Sequence, residues 1–159
     1  MKKQLSTSKK GFTIIEVVLV LAIAGLIFLM VFVALPSLQR SQRDTQRRDD
    51  MSRLASALTQ YQANNNNNLP TSGPTLISSY LAEGFKDPNG TDYTVSFSSL
   101  ASGESGTAVN GTTGHEATEI IVYTNAYCSG ETATYKAGSS NYAILYKLEG
   151  SGATCVDNQ

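Results

Sequence analysis

The segment "FTIIEVVLVLAIAGLIFLMVFVAL", residues 12–35, constrains this chain more than any other. Its 24 residues are apolar or nearly so, apart from one carboxylate, Glu16. At about 1.5 Å per residue, a helix of that length covers roughly 36 Å, more than a bilayer core of about 30 Å. An ionised carboxylate in hydrocarbon costs at least about 2.5–3.5 kcal/mol, less near the membrane surface. Either Glu16 sits at the interfacial edge, snorkelling or protonated, or it is held for a cation. The run itself contains none. Cleavage after Gly11 would create one, the α-ammonium of Phe12, four residues before Glu16 and on the same helical face. The positive end of a helix favours an acid there as well. A cleaved secretory signal has a shorter apolar region followed by small residues. This run is longer and ends "VALPSLQR", so loss of the whole segment is not expected.

Charge is unevenly divided around the run. Lys2, Lys3, Lys9 and Lys10 precede it, residues 36–63 carry five Arg against three Asp, and residues 64–159 carry three Lys against nine acids. The chain as a whole is −1, and without its first eleven residues it would hold eight bases against thirteen acids, or −5. The distal part therefore lacks the basic surface that nucleic acid requires. The N-terminal lysines suit an anionic cytoplasmic leaflet, which places the acidic distal part outside.

Beyond the run, Pro36 is expected to kink or interrupt the helix. The 27 residues from Ser37 to Ala63 contain no Gly or Pro. Within them Met51, Leu54, Ala55, Leu58 and Tyr61 form an apolar stripe on one helical face. Arg40, Arg43, Asp44, Arg47, Arg48, Asp49 and Asp50 read as a mixed-charge stretch with little apolar surface. The run Asn64–Asn68 and "LPTSGP" end the helix, and "PTLISSYLAEGF" permits a short one closed by Gly84. Strand patterns follow in "TDYTVSFSSL", with Tyr93, Val95 and Phe97 on one face, and in "TEIIVYTNAYC" and "NYAILYKLEG". "SGESGTAVNGTTG" reads as a loop or wide hairpin. The expected fold is α+β: a long N-terminal helix, membrane-spanning in one half and amphipathic in the other, packed on a small antiparallel sheet head of three or four strands.

Few other residues suggest chemistry. "HEATE", from His115, lacks the second histidine of a zinc helix, and a lone His rules out a Cys/His cluster. "DPNGTD", from Asp87, lacks the distal acid of a calcium loop and reads as a turn. Asn89 and Asn110 head N-x-T sequons, for which a turn is the default and glycosylation the other reading. Cys128 and Cys155, an even pair in a chain with a membrane-entry signal, read as one disulfide, with two buried thiols as the alternative. No nucleophile–base set, phosphate loop or carboxylate pair emerges, so no enzymatic role, cofactor or metal is expected.

"KKGFTIIEVVLVLAIAGLI" resembles the prepilin signature of the type IV pilin superfamily: a short basic leader, Gly, Phe, and an apolar helix with Glu as its fifth residue. "RDDMSRLASALTQYQANNNNNLP" is more loosely similar to the family's helix end, and "DPNGTDY" to its turn before the first strand. The pair Cys128 and Cys155 resembles the disulfide that closes the C-terminal loop of many major pilins. Pro36 departs from the pattern, falling a few residues later than the family's helix proline. The resemblance implies that a prepilin peptidase cuts between Gly11 and Phe12 and methylates the new amine. It also implies that Glu16 pairs with the N-terminal amine of a neighbouring subunit. The parts would be a leader (1–11), a membrane and filament-core helix (12–35), its amphipathic continuation (36–63) and a pilin head (64–159). Before assembly the chain would lie in inner-membrane lipid. After handling by the pilus machinery it would be a homopolymer in an extracellular filament of the kind used for adhesion or twitching motility. The alternatives are a type II secretion pseudopilin or a minor or competence pilin and, from another class, a membrane-anchored binding module that never polymerises.

Overall fold

Hydrophobic pattern divides helix α1 (Ile14–Asn64) into an apolar first part and an amphipathic second part. A computed structural model describes residues 11–81, 84–108, 118–150 and 152–159. The chain separates into two compact units, one ending at Gln39 and the other running from Arg40 to Gln159, and α1 contributes to both. In the first unit Pro36 lies inside α1 and does not interrupt it. Its missing N–H removes a single intrahelical bond, and the flanking Leu35, Leu38, Gln39 and Arg40 are good helix formers.

In the second unit α1 buries Met51, Leu54, Ala57 and Leu58, with Ala55 and Tyr61 packed at the margin. This is the expected stripe with Ala57 added. The asparagine run then stops the helix. Asn66 and Asn67 take φ of 53° and 64°, a left-handed conformation that asparagine tolerates. The N–H groups of Asn65 and Asn67 donate back to the Gln62 carbonyl at 3.2 and 2.8 Å. Helix α2 (Gly73–Tyr80) starts with a proline in its first turn and ends at Leu81.

Seven strands follow: β1 (Thr94–Ser99), β2 (Ser105–Thr107), β3 (Glu119–Thr124), β4 (Ala126–Ser129), β5 (Thr132–Tyr135), β6 (Tyr142–Lys147) and β7 (Ala153–Asp157). They form a four-stranded sheet, ordered β1-β3-β6-β7, and a three-stranded one, ordered β2-β5-β4. The α+β layout is the expected one, with more strands and one pairing of a different sense. β1 and β3 run parallel, from Thr94 opposite Glu119 to Ser99 opposite Thr124, whereas the other pairs are antiparallel. A parallel pair needs a crossover of a dozen residues or more, and residues 100–118 supply it. The expected single strand "TEIIVYTNAYC" is two. Asn125, at φ 55°, turns the chain out of the first sheet and into the second.

β6 is the wall shared by the two sheets. Tyr142, Ile144 and Tyr146 face the core that α1 and α2 cover, while Ala143 and Leu145 face the smaller core beside β4 and β5. All five are buried, as period-two alternation requires of a strand covered on both faces. Cys128 in β4 and Cys155 in β7 form a disulfide across the sheets, with Cα atoms 5.8 Å apart and a sequence separation of 27. In the chain-entropy model that loop is worth about 3–4 kcal/mol. The Cys128→Ser/Cys155→Ser double variant, unfolded by urea as the full chain in detergent micelles, is expected to lose that amount. A loss under about 1 kcal/mol would mean that packing alone sets the sheet-to-sheet geometry.

Candidate functional site

The first unit is an apolar helix whose large side chains are exposed among the described residues. Large hydrophobics from Phe12, 86% exposed, to Leu38, 58% exposed, are uncovered. The helix is long and apolar enough to cross a membrane by length and composition. Its one acid, Glu16, lies in the first turn. Thr13 caps that turn: its Oγ1 accepts the Glu16 N–H at 3.4 Å, and its carbonyl accepts the N–H groups of Glu16 and Val17 at 3.2 and 3.4 Å. Thr13-x-x-Glu16 is therefore the sequence signature of a capping box, a signal that consideration of Glu16 as a charge alone misses. Gly11 and Phe12 precede the cap and are exposed. A Cβ added at Gly25 would meet nothing within 4 Å, so packing within the chain does not demand a glycine there.

The remaining sequence candidates are ordinary structure. Asp87–Gly90 is a turn closed by the Gly90 N–H donating to the Asp87 carbonyl at 2.8 Å. Asn89 Oδ1 accepts from the N–H and hydroxyl of Thr91 at 3.0 and 2.6 Å. His115 and Asn110 lie outside the described residues. No group of three or more potential metal ligands occurs among the described residues.

The charged stretch of α1 departs most from expectation. Arg47 and Asp50 are only 2% and 4% exposed, because they lie one turn before Met51 and Leu54 on the buried face. The Arg47 guanidinium meets Asp87 through two bonds, Nε to Oδ2 at 2.7 Å and Nη2 to Oδ1 at 3.0 Å. Its Nη1 reaches Asp44 and Glu149, each at 3.2 Å. The Tyr146 hydroxyl donates to Asp87 at 2.8 Å, and the Asn89 N–H donates to its other oxygen at 3.0 Å. Arg43 grips Glu149 bidentately at 2.7 and 2.5 Å. Asp44 accepts the backbone N–H groups of Glu149 and Gly150 at 2.9 and 3.0 Å. No buried side-chain nitrogen or oxygen among the described residues lacks a partner. A cluster so fully occupied holds α1 to the Asp87 turn and to the β6–β7 loop, and offers no open acid, base or nucleophile.

Burial pushes the Asp87 carboxyl up, but hydrogen bonds from Arg47, the Asn89 N–H and Tyr146 outweigh it and hold it below its ordinary 3.8. The Arg43 hydrogen bond likewise holds Glu149 low. Asp50 moves up, because burial exceeds the help from Arg53 and Tyr93. Burial also raises the Tyr93 and Tyr146 hydroxyls. A carboxylate lowered on folding stabilises the fold above its unfolded pKa, and that contribution vanishes as pH falls through the folded value. Asp87 and Glu149 therefore cost stability below about pH 4, the usual carboxylate range. Asp50 has the opposite sign, since the folded state takes its proton first. Asp87→Asn is expected to lose about 3–5 kcal/mol at pH 7, as one partner of a buried pair, and to flatten the acid limb. Asp50→Asn is expected to lose about 1 kcal/mol or less, its Arg53 partner being half exposed. Thermal melts of both variants at pH 7 and pH 3 check the contrast. Equal losses at pH 7 would refute it.

Residues 6–32 match the family model of the prokaryotic N-terminal methylation motif. No curated protein and no solved structure matches the chain. The motif takes in Gly11, Phe12, the Thr13 cap and Glu16, and the uncovered apolar helix beyond them is consistent with membrane anchoring. A long helix bearing that motif, followed by an α+β unit, supports a type IV pilin- or prepilin-like protein.

Proposed function

We propose that the chain is made as a single-pass membrane prepilin, cut between Gly11 and Phe12, N-methylated at Phe12, and polymerised as a structural subunit of an extracellular type IV pilus. The observation that carries this reading is the apolar helix with one acid in its first turn and no covering surface of its own. Lipid covers that surface before assembly, and the helices of other copies cover it afterwards. Gly25 with Ala22, Ala24 and Ala34 lets neighbouring helices approach closely. Among the described residues the salt bridges all lie from Arg43 onward, so the cation for Glu16 comes from elsewhere. The mature amine of a neighbouring copy supplies it, offsets the desolvation of the acid, and sets the axial register. The disulfide that ties the two sheets favours a pilin over a secretion pseudopilin by its resemblance to the pilin pattern.

Two variants separate the roles of Glu16. Glu16→Gln keeps a side chain that serves the capping box but carries no charge, whereas Glu16→Ala removes both. Both are expected to remain in the membrane and to cut the yield of sheared filaments about tenfold or more, the change that ~1.4 kcal/mol produces. Normal filaments from Glu16→Gln would refute charge pairing and leave only the cap. A bulky residue at Gly11 is expected to leave a heavier, unassembled precursor. Mass spectrometry of the mature chain that finds Met1 intact would overturn the processing step.

A further inference from the structure

We infer that the second unit carries a binding groove for a neutral saccharide at the carboxyl ends of β1 and β3. The parallel pair creates the crevice. At Ser99 the chain leaves β1 toward β2, and at Asn125 it leaves β3 for β4 in the other sheet, so the two exits diverge. Divergence of neighbouring strands at their carboxyl ends is the general reason that ligands bind there. The segment after α1 and the loop before β6 complete the walls.

The lining fixes the class of ligand. Thr71, Ser98 and Ser139 present hydroxyls, Asn68 and Asn125 present amides, and half-buried Phe97 presents a ring. Hydroxyls and amides both donate and accept, which matches the hydroxyls of a sugar, and a phenyl face takes its C–H surface. No lining residue is charged, so the groove has nothing to hold a phosphate, a carboxylate or a metal ion. Part of this polar equipment is already oriented: Asn125 Nδ2 donates to Ser99 Oγ at 3.2 Å, and Asn68 Nδ2 to the Asn65 carbonyl at 2.9 Å. Both bonds use amide nitrogens and leave the Oδ1 atoms as acceptors.

The backbone supplies an independent observation. Among the described residues, positive φ outside glycine occurs at Asn66, Asn67 and Asn125; Asn125 lines this groove, and the other two directly precede its Asn68 in the chain. Left-handed backbone at non-glycine residues concentrates at binding sites. An extended peptide is a poorer fit. A Cβ on Gly73 would overlap the Val95 carbonyl, so the chain there lies hard against β1 and leaves no room for an added strand.

The test is amide-resolved NMR of the full chain in dodecylphosphocholine, a detergent without a sugar headgroup. Lactose, chitotriose and maltotriose serve as neutral probes, with sialyllactose and inorganic phosphate as anionic ones. At least one neutral probe is expected to give saturable shifts centred on Asn68, Ser98 and Asn125. Asn125→Gly keeps the left-handed backbone while removing the amide, and is expected to weaken that affinity about tenfold. Ser56→Ala, exposed on α1 and outside the groove, is expected to leave it unchanged. The inference is overturned if no neutral probe saturates or if Asn125→Gly binds as well as the parent chain. It is equally overturned if an anionic probe binds as tightly, or if the same amides shift with protein concentration alone.

Discussion

One buried guanidinium organises the second unit. Arg47 donates to Asp87 at the turn before β1, to Asp44 one helical turn back, and to Glu149 just after β6. Two segments distant in sequence, the Asp87 turn and the β6–β7 loop, are thereby fixed against one point on α1. The desolvation of so many charges is large, and it is met only because each carboxylate has several donors. Asp87 alone takes Arg47, Tyr146 and the Asn89 N–H. Removing one member leaves the others as uncompensated charges in a dry setting. An apolar replacement of the whole cluster could be as stable, but it would lose the directionality that fixes the turn and the loop to the helix.

The same helix solves two different solvent problems. From Phe12 to Leu35 every side chain but that of Glu16 suits a medium without water, and helical backbone is what such a medium demands, since its polar groups bond within the segment. From Arg43 to Gln62 one face is as buried as a protein interior and the other carries Ser52, Ser56 and Thr59, whose hydroxyls bond back to carbonyls four residues earlier. The capped first turn at Thr13 and the left-handed asparagines at its end bound one continuous element. Length comes from the absence of breakers other than Gly25 and Pro36, and the two environments from the change of surface along it.

Legibility in the sequence tracked the simplicity of the physical signal. The apolar run, the stripe at Met51, Leu54, Ala55, Leu58 and Tyr61, and the asparagine stop are local periodicities, and the structure places them as read. Arg47 and Asp50 were not legible as core. Charged residues are rarely buried unless paired, and their partners Asp87, Glu149 and Tyr93 lie 40 or more residues away. Their positions one turn before Met51 and Leu54 were the available clue. The parallel pairing of β1 with β3 and the exit at Asn125 were also hidden, because strand sense and sheet membership are decided by long-range packing. Asn125 in "IIVYTNAYC" is a turn former, but a single such residue does not reveal that the chain changes sheets there.

Glu16 shows how a single residue satisfies constraints on two scales. As the third residue of α1, it completes the Thr13 cap and complements the positive helix end. Both effects belong to the isolated chain and would operate in any soluble helix. Neither explains why an acid should be tolerated next to Ile14, Ile15, Val17 and Val18, all uncovered. A glutamine would cap as well at a smaller desolvation cost. The charge itself is therefore more than either effect requires. The N-terminal methylation motif spans this residue and the glycine–phenylalanine junction ahead of it.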